Sequence, residues 1–290
     1  MSDTFFTAAP EWTWLVVLYF FFGGIAGGSY FIAALIDLFG DEADWPLARL
    51  GYLIAFPAVL LCGPLLIIDL KRPERFWHML LQSERVLPMF KLWSPMSVGS
   101  WALALFGLFA FLSFLGAIWR PFAFARRDPL RKLIALVGGA LGFFLASYTG
   151  VLLSVTNRPI WADTNLLGLL FLASGASTAA ALILLLAERR RAVGSGSLHR
   201  LSTFDNWAML VELVALAALV ASLGAVARVW LSAWGLALVV GVVLLGILIP
   251  LLLHWRPRLL GRASLPAAAV LALIGGFVLR AVVVLSSEAV

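Results

Sequence analysis

The chain has 290 residues, of which 63% are hydrophobic and 12% charged, with a mean hydropathy of +1.03; no water-soluble domain of this size hides that apolar load in one core. Lipid is therefore the solvent, and at about 20 residues per crossing the chain holds many spans and no sizeable soluble domain. The net charge of +6 is the signature of arginine-rich loops beside anionic lipid rather than of nucleic-acid binding.

Residues 1–11 carry Asp3 and Glu11 without a basic n-region, so the first apolar run is expected to be a retained helix and not a cleaved signal. Apolar runs bounded by charge, Pro or Trp predict spans near 12–39, 46–68, 95–118, 133–156, 165–187, 206–227, 231–253 and 265–286. The break at 223–231 rests on Gly224 and Arg228 alone. The fold class is an all-α integral membrane protein of about eight transmembrane helices. With eight spans, the N-terminus, loops 2–3, 4–5 and 6–7 and the C-terminus share one side. That side carries seven basic residues (Lys71, Arg72, Arg75, Arg85, Lys91, Arg158, Arg228). The other carries thirteen: Arg49, Arg120, Arg126, Arg127, Arg131, Lys132, Arg189, Arg190, Arg191, Arg200, Arg256, Arg258 and Arg262. The richer side is expected in the cytoplasm and both termini outside. Five of the seven outward basic residues lie in loop 2–3, which is either a solvated headgroup-level loop or a place for a partner to dock.

In the first span, Gly23/Gly27 and Gly24/Gly28 form two overlaid small-xxx-small pairs. These suit close helix packing or, less commonly, a wall that accommodates a cofactor. Cys62 sits alone in an apolar run, which excludes an internal disulfide or a self-ligated iron–sulfur cluster. Loop 2–3 opens Asp69-Leu70-Lys71-Arg72-Pro73-Glu74-Arg75-Phe76-Trp77-His78-Met79-Leu80. Pro73 suits a first helical position, Glu74, Arg75 and His78 share one face, and Phe76, Met79 and Leu80 another. The expectation is a short amphipathic helix on the membrane surface. Ser94 is then an N-cap and Pro95 the first residue of helix three, with Ser97 and Gly99 leaving polar, accessible backbone near the interface.

Helix four closes with Tyr148-Thr149-Gly150-Val151-Leu152-Leu153-Ser154-Val155-Thr156-Asn157-Arg158-Pro159-Ile160-Trp161. Asn157 and Arg158 mark its end, Trp161 is expected as an interfacial anchor, and the Tyr148 hydroxyl, within the apolar zone, needs a partner. Further on, Asp205, Asn206 and Glu212 lie near the start of helix six and Arg280 lies inside helix eight. With Asp37 they make a proton route, or Glu212 and Arg280 make a structural ion pair. His78, His199 and His254 fall in loops or at a helix end, where they do not suit axial ligation of a membrane haem.

The start of helix one, the end of helix two, the start of helix three and the end of helix four face the same side. Together they wall a pocket with Asp69, basic residues and a Tyr phenol. Such a site suits a lipophilic quinone, whose carbonyls need hydrogen bonds, whose tail needs lipid and whose protons need ionisable acceptors.

The stretches 69–78, 94–101 and 148–157, with the glycine-rich first helix, resemble the NrfD/PsrC family, membrane subunits of polysulfide-reductase-type respiratory complexes. The motif-bearing part covers roughly residues 12–190. The resemblance implies two four-helix bundles, 1–161 with the quinone site and 162–290, with no haem and no iron–sulfur cluster in this chain. It implies reaction with menaquinone or ubiquinone at the outer surface of a cytoplasmic membrane. The implied partners are a ferredoxin-like four-cluster iron–sulfur subunit and, behind it, a molybdopterin enzyme or multihaem cytochrome. Asp69 and Tyr148 match family positions of the quinone pocket. Tyr19, Gly23, Gly27, Arg72, Glu74, Arg75, His78, Ser97, Thr149 and Asn157 are the further candidates for the pocket, its rim or the partner surface. The first-helix polar groups of some relatives are not evident, since Tyr19 is followed by three Phe. A secondary transporter and a purely structural anchor are the rival readings; the first calls for discontinuous helices in both halves.

Overall fold

The computed structural model describes residues 12–70, 72–82, 87–119, 128–190 and 193–289. Lys71, Arg85, Arg120, Arg126, Arg127 and Arg191, named above in the charge count, and residues 1–11 lie outside them. Eight helices among the described residues are long and apolar enough to cross a membrane. They are α1 Trp14–Phe39, α2 Trp45–Asp69, α3 Pro95–Ile118, α4 Pro129–Ser154, α5 Leu167–Arg190 and α6 Ser195–Ser222, then α7 Ala233–Trp255 and α8 Ser264–Leu285. The uncertain break between the sixth and seventh spans is real: Gly224, at φ +52°, opens a 3-10 stretch, Gly224–Leu231, that separates them.

Local chemistry sets the ends. Ser94 Oγ accepts from Ser97 N at 3.4 Å and Pro95 takes the first position of α3, as its sequence predicts. Asp128 caps α4 through Leu130 N at 2.9 Å, ahead of Pro129, so α4 starts four residues before the apolar run does. The start of α6 differs most from expectation, at Ser195 rather than near 206. Its polar first turns are held by Arg200 on Asp44 at 2.6 Å and Ser197 Oγ on the Ala43 carbonyl at 3.4 Å. A helix that continues past the bilayer has no hydropathy signal there. In consequence Asp205 and Asn206 lie about three turns inside α6, not at its start.

The alternating helices give two faces. At the proximal face, where α1 and α3 begin and α2 and α4 end, Trp161 Nε1 donates to the Val283 carbonyl at 2.8 Å and Trp230 Nε1 to Ser286 Oγ at 3.0 Å. At the distal face Arg131 pairs with Asp37 at 2.8 Å and Arg49 Nε donates to the Ala117 carbonyl at 2.8 Å. Trp161 is not an interfacial anchor: the short turn Pro159–Ala162 folds it inward, 1% exposed and stacked on Trp12 at 5.3 Å.

Helices α1 and α5 are the most enclosed. α1 packs on α2, α4, α5 and α8, and α5 on α1, α4, α6 and α8, while α3 lies at the edge against α2 and α4. The glycine pairs of α1 serve this packing. A Cβ on Gly28 would come within 2.5 Å of the Gly175 carbonyl oxygen in α5, and one on Gly27 would meet the Gly142 carbonyl of α4. One hydrophobic core, containing Tyr19, Phe20, Leu153, Trp161, Phe171, Leu216 and Leu279, runs through both halves of the chain. Each of the eight spans is helical throughout, α7 passing through a π-helical stretch at Ala237–Leu248, and none is interrupted by non-helical backbone among the described residues. The discontinuous helices that a transporter reading calls for are thus missing from them.

Candidate functional site

A cavity of about 500 Å³ lies between α1, α2, α3 and α4 at the proximal face. Its long walls are two stripes with the same helical spacing: Phe56, Val59, Leu60, Gly63, Pro64 and Ile67 on α2, and Met96, Gly99, Ser100, Leu103, Ala104 and Gly107 on α3. Positions i, i+3, i+4, i+7, i+8 and i+11 fall on one helix face, so the two helices line a slot about 16 Å long. Tyr19, Phe20 and Val16 of α1 and Tyr148 and Leu152 of α4 close its back. The stretch Pro73–Met79 forms a 3-10 helix whose Phe76 and Met79, with the following Leu80, line the cavity. Arg72, Glu74 and Arg75 are exposed. The amphipathic division expected from the sequence is therefore observed, on a tighter helix.

Three polar side chains that line the cavity are Asp69, Tyr19 and Tyr148. Asp69, the last residue of α2, is partly buried in the cavity wall and has no hydrogen-bond or ion-pair partner among the described residues. Tyr19, 3% exposed, likewise has no partner for its hydroxyl among them. Tyr148 Oη donates to the Pro95 carbonyl at 2.5 Å, which leaves its oxygen lone pairs as acceptors. This contact is possible because Gly99 is bare: a Cβ there would collide with the Tyr148 ring and hydroxyl. Ser100 is already committed to the Met96 carbonyl at 2.8 Å. The deep end, from Phe56 and Val59 to Leu103 and Gly107, is apolar. The arrangement suits an amphiphile with a polar head and a hydrocarbon body.

The structure brings Asp69, Tyr19 and Tyr148 together and leaves the other candidates out of the wall. A Cβ on Gly23 would meet Thr149, Cys62 and Tyr19 at ordinary van der Waals distances, and Gly27 packs on α4. Ser97 Oγ accepts from Lys91 N at 3.1 Å, and buried Thr149 donates to the Ala146 carbonyl at 3.1 Å. His78 stacks on Trp77 at 3.8 Å with Nδ1 3.1 Å from the Arg75 carbonyl, and Asn157 is exposed at the end of α4. Glu74, Arg75 and His78 belong to the same 3-10 helix as Phe76 and Met79, and Arg72 directly precedes it; none of the four is in the cavity wall. Gly63 and Gly107 escaped notice in the sequence; the signal was their place on the two matching stripes.

A second polar group is buried between α5, α6 and α8. Arg280, fully buried, donates from Nε to the Phe20 carbonyl at 3.1 Å and from Nη1 to Ser174 Oγ at 3.1 Å and the Gly276 carbonyl at 2.6 Å. Among the described residues no carboxylate lies within 4.0 Å of it, so the expected Glu212–Arg280 ion pair is not a direct one; Glu212 faces it across Ser174. Asp205, also fully buried, accepts from Ser177 at 2.8 Å through one oxygen, while the other has no partner among the described residues. His254 Nδ1 lies 2.7 Å from Asn206 Oδ1. Asp37 belongs elsewhere, at the distal end of α1, where Arg131 and Tyr52 occupy both its oxygens. There it ties α1 to α2 and α4. Among the described residues, no three His, Cys, Asp or Glu side chains cluster as metal ligands would.

A family model described as polysulphide reductase, NrfD, matches residues 4–290. The chain belongs to the NrfD family. Protein NrfD of Escherichia coli (strain K12) is 28% identical over 312 residues, covering 96% of this chain and 95% of that relative. A polysulfide reductase polypeptide of Wolinella succinogenes is 30% identical over 273 residues, covering 84% of this chain and 82% of its own length. A selenate reductase polypeptide of Mesobacillus selenatarsenatis shares 27% identity over 119 residues, 41% of this chain and 25% of its own length. Two of these relatives are thus, by name, parts of reductases. In this NrfD-family member the three stretches that carried the resemblance meet at the cavity: the first supplies Asp69, Leu70 and Phe76, the second Met96, Gly99 and Ser100, and the third Tyr148 and Leu152.

Proposed function

We propose that this chain is the membrane anchor and quinone-reacting subunit of a respiratory oxidoreductase complex, exchanging electrons with an iron–sulfur partner at the proximal face. The observation that carries the reading is the polarity of the cavity: Asp69, Tyr19 and Tyr148 all line one otherwise apolar slot that starts at the proximal end of α2. The donors and acceptors there suit both redox forms of the ligand. Asp69 and the Tyr148 oxygen accept from the two hydroxyls of a quinol, and the Tyr19 hydroxyl donates to a quinone carbonyl. Oxidation of one quinol releases two electrons and two protons. The two protons would leave through Asp69 to water at the proximal face and the two electrons would pass to the clusters of the partner; in the reductive direction both flows would reverse.

On this reading the proximal face and the termini are outward, in agreement with the excess of Arg and Lys on distal loops. On the same reading the ligand is menaquinone or ubiquinone. The stretch with Arg72, Glu74, Arg75 and His78 is where a ferredoxin-like four-cluster subunit, itself bound to a molybdopterin or multihaem catalytic subunit, would dock. The buried Asp205, Glu212 and Arg280, with Ser174 and Ser177, form a polar line from the middle of α6 to the backbone of Phe20 in the cavity wall. A proton route between the distal side and the pocket would follow that line. The halves 1–161 and 162–290 then divide the labour between quinone chemistry and proton supply.

The test is to purify the tagged chain in mild detergent with its native neighbours and compare it with the Asp69→Asn variant. Recovery of a cluster-binding subunit in both, with quinol-linked electron transfer lost only in the variant, supports the assignment. Full turnover in Asp69→Asn removes the carboxylate from the mechanism, and recovery of the protein alone moves the reading towards transport.

A further inference from the structure

We propose that the cavity is entered sideways from the bilayer through the cleft between α2 and α3, and that Gly63 and Gly107 set its width for the polyprenyl tail of the quinone. This rests on the quinone reading above. Because α2 and α3 run antiparallel, Gly63 lies about one turn to the proximal side of Leu60 and Gly107 about one turn to the deep side of Ala104, so the two flank one level of the slot from above and below, and both line the cavity. Unlike the glycines of α1, neither is there for helix packing: a Cβ built on Gly63 or on Gly107 has nothing within 4 Å. They widen a space instead of closing one.

The cleft also lies at the right depth. Leu60 and Ala104 line the cavity and are exposed on the outer surface, Leu60 by 61%, so the slot is open to the side there. Leu60 is nine residues before the end of α2, about 13 Å below the proximal face, within the hydrocarbon of that leaflet. Its neighbours on the outer surface, Leu61, Leu105 and Leu108, are 49%, 43% and 51% exposed. An opening at that level leads to acyl chains and not to water. It belongs to the same cavity as Asp69, Tyr19 and Tyr148, so a ring held by them would have its tail in the slot. A partner helix, about 10 Å across with its side chains, is too wide for a cleft between two helices that touch each other.

The test uses the full-length protein in lipid nanodiscs with two ligand pairs, menaquinone-4 against menadione and ubiquinone-4 against ubiquinone-0. In each pair the ring is the same and only one member has a tail. Binding is followed by quenching of tryptophan fluorescence, to which Trp12 in the cavity wall contributes. Gly63→Leu and Gly107→Leu place side chains in open space, so the fold tolerates them. Each is expected to weaken the tailed quinone by about tenfold and the tailless one by less than about twofold. Equal loss for both members, or undiminished binding of the tailed one, overturns the cleft assignment while leaving the head site standing. Displacement of the tailed quinone by added phospholipid would hand the cleft to an acyl chain and overturn it as well. If no quinone binds the unaltered protein, the quinone reading itself falls.

Discussion

Gly99→Ala tests the head of the cavity with one methyl group. Gly99 has ordinary helical backbone, since positive φ among the described glycines occurs at Gly224 and Gly261, so alanine is allowed by conformation and would by itself favour the helix by about 1 kcal/mol. The methyl, however, would sit on the hydroxyl and ring of Tyr148. Overpacking of this kind costs about 1–3 kcal/mol. Pushing the phenol away also breaks its bond to the Pro95 carbonyl, worth about 1 kcal/mol net. The sum is a loss of roughly 1–3 kcal/mol despite the better helix former. Thermal unfolding of the purified protein in detergent should show a lower midpoint, and quinol oxidation by the complex should show a raised KM, because the acceptor oxygen has moved. In a Tyr148→Ala background the same change should cost nothing, since the ring it strikes is gone. A Gly99→Ala protein as stable as the original, with an unchanged KM, would refute the idea that Tyr148 is held against α3 at the pocket.

Asp37→Asn leaves Arg131, with 16% of its side chain exposed, facing a neutral partner; stability should fall by about 3–5 kcal/mol. Turnover per folded molecule should be kept, which separates an anchor from a proton relay. Asp205→Asn and Glu212→Gln should slow proton uptake from the distal side during quinone reduction in proteoliposomes while leaving the KM for quinone unchanged; uptake at the original rate would remove the polar line from the proton route. Trp161→Phe keeps an aromatic ring but loses the bond to the Val283 carbonyl, so it should cost about 1 kcal/mol in an unfolding titration. Gly28→Val drives a side chain into the Gly175 carbonyl and Ala179 of α5, and the yield of folded protein, followed by gel filtration in detergent, should drop sharply.

The eight crossings and the place of most helix ends are legible in the residues, because burying an apolar segment in lipid depends on its own composition and length. Caps such as Ser94 with Pro95 are local and equally legible. So was the convergence of Asp69 and Tyr148, which follows from counting crossings once the three motif stretches are recognised. Hydropathy has nothing to say about which apolar side faces lipid and which faces protein, since hydrocarbon and a helix partner are alike to Leu. Only the packed helices showed that Gly27 and Gly28 close a contact whereas Gly63 and Gly107 open a slot. The same holds for Trp161, whose indole found a carbonyl 122 residues away instead of the interface, and for Arg280, which took the carbonyls of Phe20 and Gly276 in place of Glu212. Those choices are made by neighbours distant in sequence, and a buried polar group settles on whichever of them satisfies it.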